Sequence, residues 1–261
     1  MTVFFHELKR GRTALIIWSA AIASMLAIAV IIFPQMKSQM SEMEDMFSNM
    51  GSFSDAFGMN NMSFARFTDY FAIECGNVMG LGGAIFAAIT GVTMLGKEER
   101  NHTAEFLYTH PLSRARIVLE KLLALTAQIV ILNAAAVCAS LISISAIGEE
   151  VDATVLALLF LSYLLMELEI AALCFCISAF LKNGMGAGLG TAIGMYFISI
   201  LSNLTEDAKF LKYITPFAFT DGGSIIADKS IKPEYLAVGM GLTAAAVIAA
   251  FIKYTKKDIS A

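Results

Sequence analysis

Two carboxylates, Glu167 and Glu169, interrupt an otherwise apolar run from residue 155 to 181. In hydrocarbon an ionised carboxylate is costly unless it is paired, protonated or turned toward water. Two readings follow: a structural pair with bonding partners, or a polar pathway with a role in gating or substrate contact. At about 100° per residue the two side chains leave a regular helix on nearly opposite faces, so both cannot line one cavity. Gln128 and Asn133, at comparable depth in the preceding apolar run, are the expected partners for one of them.

Other residue types with chemical capacity are less well arranged. Met36, Met40, Met43, Met46 and Met50 recur every three or four residues and are followed by Met59 and Met62, predicting a helix with a thioether stripe. Soft sulfur ligands suit copper(I), and such a stripe equally suits adaptable packing. Residues 91–98, Gly-Val-Thr-Met-Leu-Gly-Lys-Glu, copy the phosphate-loop spacing except at the last position. A Ser or Thr hydroxyl is needed there for magnesium; Glu98 would repel phosphate. His6, His102 and His110 have no companion ligands in sequence, and Cys75, Cys138, Cys174 and Cys176 have neither zinc nor disulfide spacing. No catalytic residues and no metal site are expected.

The elements that must position these residues are membrane helices. Apolar residues make up 57% of the 261-residue chain and charged residues 15%, with a mean hydropathy of +0.71. Six runs, residues 13–33, 73–95, 122–147, 155–181, 185–204 and 235–252, are each long enough to cross a hydrocarbon core of roughly 30 Å, at about 20 helical residues per crossing. Backbone groups in lipid must bond within their own segment, so the expected fold is an all-α integral membrane bundle of six helices forming a single transmembrane domain over residues 1–261. The first run is too long, and lacks a small-residue cleavage site, to be a cleaved signal peptide. Of the 18 Lys and Arg, twelve fall on the side that carries both termini, in about 50 residues; the other six are spread over about 74. The positive-inside rule places the termini and residues 96–121 in the cytoplasm, with outer loops at 34–72, 148–154 and 205–234. The net charge of −4 is spread through loops and gives no basic face for nucleic acid.

Residues 96–121, GKEERNHTAEFLYTHPLSRARIVLEK, form a charged island between two spans. A short helix over Thr103 to Tyr108 presents Phe106, Leu107 and Tyr108 as an apolar ridge around Glu105, suited to a protein partner. Pro111 disfavours helix at His110, and Ser113 is placed to cap the next helix. Alternatively, the island's basic residues serve topology alone. On Glu98, Glu99, Thr103, Glu105, Phe106, Leu107, Pro111, Ser113, Arg114 and Lys121 the island resembles the cytoplasmic loop of permease subunits in type 2 ABC exporters. Phe57-Gly58, the stretch Lys212 to Phe217 and the tail Lys256-Lys257-Asp258-Ile259 extend the likeness. His102 stands where that family carries Gly before the Thr.

The resemblance implies a short cytoplasmic coupling helix gripped by a soluble ABC ATPase, with ATP and Mg bound on that partner and no cofactor on this chain. It also implies a second permease copy or paralogue around one pathway, and a multi-pass protein of the cell membrane in contact with lipid. The expected function is outward movement of an amphipathic or apolar compound: antibiotic, peptide or lipid-like. A cation or copper transporter subunit and a non-transporting scaffold or sensor are the alternatives. Phe4 to Arg12 reads as a short helix at the inner interface or as a topology signal. Gly76, Gly80 and Ala84, and Gly186, Gly190 and Gly194, predict faces for close helix contact.

Overall fold

The computed structural model describes residues 2–48, 66–101, 112–181, 183–204 and 206–257, with side chains up to residue 37 in the first stretch. Among these residues the chain is 89% helical and has no strand. Helix α1 (Thr2–Ser48) is followed by α2 (Phe67–Cys75), which continues through a π-helical stretch (Gly76–Gly83) into α3 (Ala84–Thr93). A four-residue α4 (Lys97–Arg100) precedes α5 (Arg114–Ile147), α6 (Ala153–Phe180) and α7 (Met185–Leu204). Two 3-10 segments (Glu206–Tyr213 and Pro216–Thr220) and α8 (Gly222–Asp228) then lead to α9 (Pro233–Lys256). Among the described residues, six helical stretches are long and apolar enough to cross a membrane: Thr2–Lys37, Phe67–Thr93, Arg114–Ile147, Ala153–Phe180, Met185–Leu204 and Pro233–Lys256.

The helices run beyond the apolar cores for local reasons. Ser113 caps α5, its hydroxyl accepting from the Arg116 amide at 3.3 Å, so the helix starts eight residues before the apolar run. The segment from Phe4 to Arg12 is helical and continuous with the first span. Its opening amides, which no helix can satisfy internally, are taken by a side chain from another helix: Glu120 of α5 accepts from Val3 at 2.9 Å and Phe4 at 3.2 Å. The helix also continues past Pro34 through Met36, Met40, Met43 and Met46, giving the helical backbone expected for the methionine segment. Gly148 ends α5 in the left-handed conformation with φ 72°, where a side chain would be strained.

Helix α6 is the hub, packing against α3, α5, α7, α9, the second 3-10 segment and α8. Apart from Glu167 and Glu169 its faces are apolar all round, as those of a helix enclosed by others should be. Its ridge of Tyr163, Glu167, Ala171 and Cys174 lies in a groove made by glycines of the α2–α3 helix. A Cβ at Gly76 would meet the Tyr163 hydroxyl at 3.4 Å, one at Gly83 would collide with the Glu167 carboxyl, and one at Gly91 would sit 2.6 Å from the Ala171 carbonyl oxygen. Gly186, Gly190 and Gly194 on α7 face open space within this chain.

Residues 206–228 are not the plain outer loop expected from hydropathy. Thr215 caps the second 3-10 segment and donates to the Met195 carbonyl of α7 at 2.9 Å, while Phe217, Phe219 and Ile225 are buried against the bundle. Asp152 caps α6 through the Thr154 amide at 2.8 Å and pairs with Lys229 at 2.6 Å, joining the α5–α6 connection to the end of α8.

The glycine groove yields a paired test. Gly91→Ala pushes a methyl group onto backbone that cannot swing away and should destabilise the fold by about 1–3 kcal/mol. Gly186→Ala should leave thermal unfolding of the detergent-solubilised chain unchanged. Equal melting temperatures for both variants would contradict the packing described.

Candidate functional site

Charged residues from four separate segments meet at the end of the bundle carrying Thr2 and Lys257. Lys121, about two turns into α5, is fully buried. Its ammonium donates to Glu98 Oε1 at 2.6 Å, to the Met94 carbonyl at 2.8 Å and to Glu7 Oε1 at 2.9 Å, which uses all three of its protons. The other oxygen of Glu7 pairs with Lys97. Two carboxylates thus face two ammonium groups, and the charges balance where solvent is excluded. Burial, and after it the neighbouring Lys121, pushes the Lys97 ammonium below its ordinary value, against the opposing pull of Glu7 and Glu98.

A second set of contacts ties in the tail. Lys257 pairs with Glu99 at 2.8 Å, and Arg114 donates to the Lys257 carbonyl at 2.6 Å and more weakly to that of Thr255 at 3.4 Å. Glu120, already bonded to the start of α1, also accepts from Arg116 at 3.0 Å. The Leu95 amide donates to Ser178 of α6 at 3.2 Å, fastening the α3–α4 junction to the hub. The outcome is an ionic clamp holding the start of α1, the α3–α4 junction, the start of α5 and the end of α9 together.

Glu98, Glu99, Ser113 and Arg114 are therefore brought to one place, on both flanks of residues 102–111. Thr103, Glu105, Phe106, Leu107, Tyr108 and Pro111 lie outside the described residues. So do Met50, Met59 and Met62, and the side chains of Met40, Met43 and Met46. Sequence reasoning did not find the Glu7–Lys121 pair. The one available signal was a lysine seven residues inside a helix and flanked by Val118 and Leu125 on its own face, a position where burial requires a counter-charge.

The membrane carboxylates diverge as their spacing requires. Glu167 is fully buried and accepts from Asn133 Nδ2 of α5 at 2.6 Å. Glu169 lies on another side of α6, against Gly239 of α9 and close to Phe219. Gln128, the other candidate partner, instead donates to the Ala124 carbonyl at 3.3 Å within its own helix. Glu167 Oε1, Glu169 Oε2 and Asn133 Oδ1 are buried without a hydrogen-bond partner among the described residues.

The two sites respond differently to substitution. Lys121→Met leaves Glu98 as a buried, uncompensated carboxylate while Glu7 keeps only Lys97, and should cost about 3–5 kcal/mol of stability. Neutralising Glu98 in the same chain, with Glu98→Gln, restores the one-to-one balance of Glu7 with Lys97 and should recover most of that loss in thermal unfolding. For the membrane pair, Glu167→Gln should be nearly silent in stability, whereas Glu167→Leu strands an Asn133 donor and should cost about 1–3 kcal/mol. Equal losses for Gln and Leu would contradict a bonding role for this carboxyl.

A family model described as "ABC-2 family transporter protein" matches residues 1–259 of this chain. No curated protein matches it.

Proposed function

The chain belongs to the ABC-2 transporter family, whose members are membrane permease subunits of ABC transporters, and on this premise we propose that it exports an amphipathic or apolar compound from the cell. The substrate class proposed is antibiotic, peptide or lipid-like. ATP and Mg act on a separate soluble ABC ATPase, and a second copy of the chain or a paralogue completes the pathway. The charge-balanced clamp is the observation that carries the coupling part of this reading. The described residues on either side of 102–111 are fixed, α4 by Glu98 and Glu99 and the start of α5 by Ser113 and Arg114. A force applied by an ATPase to that stretch reaches α1, α3, α5 and α9 at once. A loop anchored on one side only would bend and transmit little.

In this reading the clamp end is cytoplasmic and the protein lies in the cell membrane, among lipid, with both termini inside. The lysine and arginine distribution supports that orientation. Asn101→Cys should be protected from an impermeant thiol reagent added to intact cells, and Glu150→Cys should react. The reverse labelling pattern would contradict it.

Affinity purification from the native membrane should recover a soluble ATPase, and Phe106→Ala or Leu107→Asp should reduce its recovery while leaving the yield of the permease unchanged. Recovery of the permease with no ATPase would overturn the coupling reading.

A further inference from the structure

Three cations near the start of α1 have no counter-charge. Lys9, Arg10 and Arg12 are exposed and make no ion pair among the described residues. Glu7 is the only acidic residue between Thr2 and Lys37, and it is turned inward and taken by Lys97 and Lys121. Glu120, the single acidic residue of α5, is occupied by Arg116 and by the opening amides of α1. No carboxylate of these two helices is left for the three cations.

The packing of α1 against α5 fixes how deep they sit. The Val3 and Phe4 amides meet Glu120, and Gly11 lies against Gln128, so the two helices run the same way and Lys9 to Arg12 stand level with residues 126–129. That is roughly 6–10 Å past Leu122, where the apolar run of α5 begins. Around this level α5 exposes Leu123, Val130 and Ile131, a surface made for hydrocarbon. A long basic side chain can reach from here to the headgroup layer, where a soluble protein cannot follow it down.

Lys9 and Arg12, three residues apart, share one face with Phe5 a turn before them and Ile16 a turn after. Phe5 is 64% exposed and Ile16 65%. From the helix start inward this face therefore reads aromatic, two cations, aliphatic, which is the order of interface, anionic head and acyl chain in a lipid leaflet. We propose that it binds an anionic phospholipid, with Lys9 and Arg12 on the phosphate and the first part of an acyl chain along Ile16. With the clamp end cytoplasmic, as proposed above, the lipid belongs to the inner leaflet. A zwitterionic lipid carries its own cation and gains less from the pair. Basic residues that served topology alone would give a folded, purified chain no lipid preference.

The purified full-length chain in dodecyl maltoside is given equal amounts of phosphatidylglycerol and phosphatidylcholine, and bound lipid is counted by native mass spectrometry. Phosphatidylglycerol should be preferred about twentyfold, and Lys9→Gln and Arg12→Gln should each lower that preference about fivefold. Lys9→Arg should keep it, and all three variants should melt like the wild type, because the replaced side chains are exposed and unpaired. Lys253→Gln removes one exposed charge from α9 at the same end of the bundle and should leave the preference unchanged. Equal binding of the two lipids by the wild type, or the same loss in Lys253→Gln as in Arg12→Gln, would overturn the site. Neither result depends on whether an ATPase is recovered with the chain, so failure here is distinct from failure of the coupling reading.

Discussion

A lysine ammonium enclosed in a helical bundle has three protons to place and no water to receive them. In Lys121 each proton goes to a different part of the chain: Glu7 on α1, the Met94 carbonyl at the end of α3, and Glu98 on α4. Because desolvation makes any missing partner costly, these three segments cannot separate from the start of α5 independently. Lys97 completes the charge balance through Glu7. Glu99, Arg114 and Lys257 extend the same logic to the end of α9. The geometry of this end of the bundle therefore follows from one buried cation and the carboxylates it requires.

Inside the membrane, shape does what charge does at the clamp. The ridge of Tyr163, Glu167, Ala171 and Cys174 reaches the backbone of α2 and α3 only because glycines leave room for it, and the Glu167–Asn133 hydrogen bond joins α5 to the same hub. Movement of α3 at the clamp end must be accommodated along that groove. The π-helical stretch at Gly76–Gly83 lies where the groove meets a cavity lined by Asn77, Gly80 and Tyr163 at the end of the bundle away from the clamp, and such wide turns are often found at functional sites.

Much of this was legible in the sequence wherever one local rule dominates. Lipid leaves a long apolar segment no alternative to helix, so hydropathy located all six helices. The divergence of Glu167 and Glu169 follows from the helical repeat, and Ser113 capped the helix its position suggested. The clamp was hidden because Glu7 and Lys121 are 114 residues apart, and each alone resembles an ordinary interfacial charge. The folded segment after α7 was hidden for a different reason. Its Thr215 and Asp221 caps and its isolated buried aromatics have no period long enough to register as an element. The π-helical stretch also has no sequence period of its own, and its glycines suggested only close packing.

The central claim is that the start of α1 and the short α4 move as one body when the transporter works. Spin labels at Lys9 and Arg100, both exposed on these two segments, report their separation directly by pulsed electron paramagnetic resonance in the assembled complex with its ATPase. The distance distribution should be the same without nucleotide and with ATP held unhydrolysed. A shift of several ångströms between the two states would contradict it.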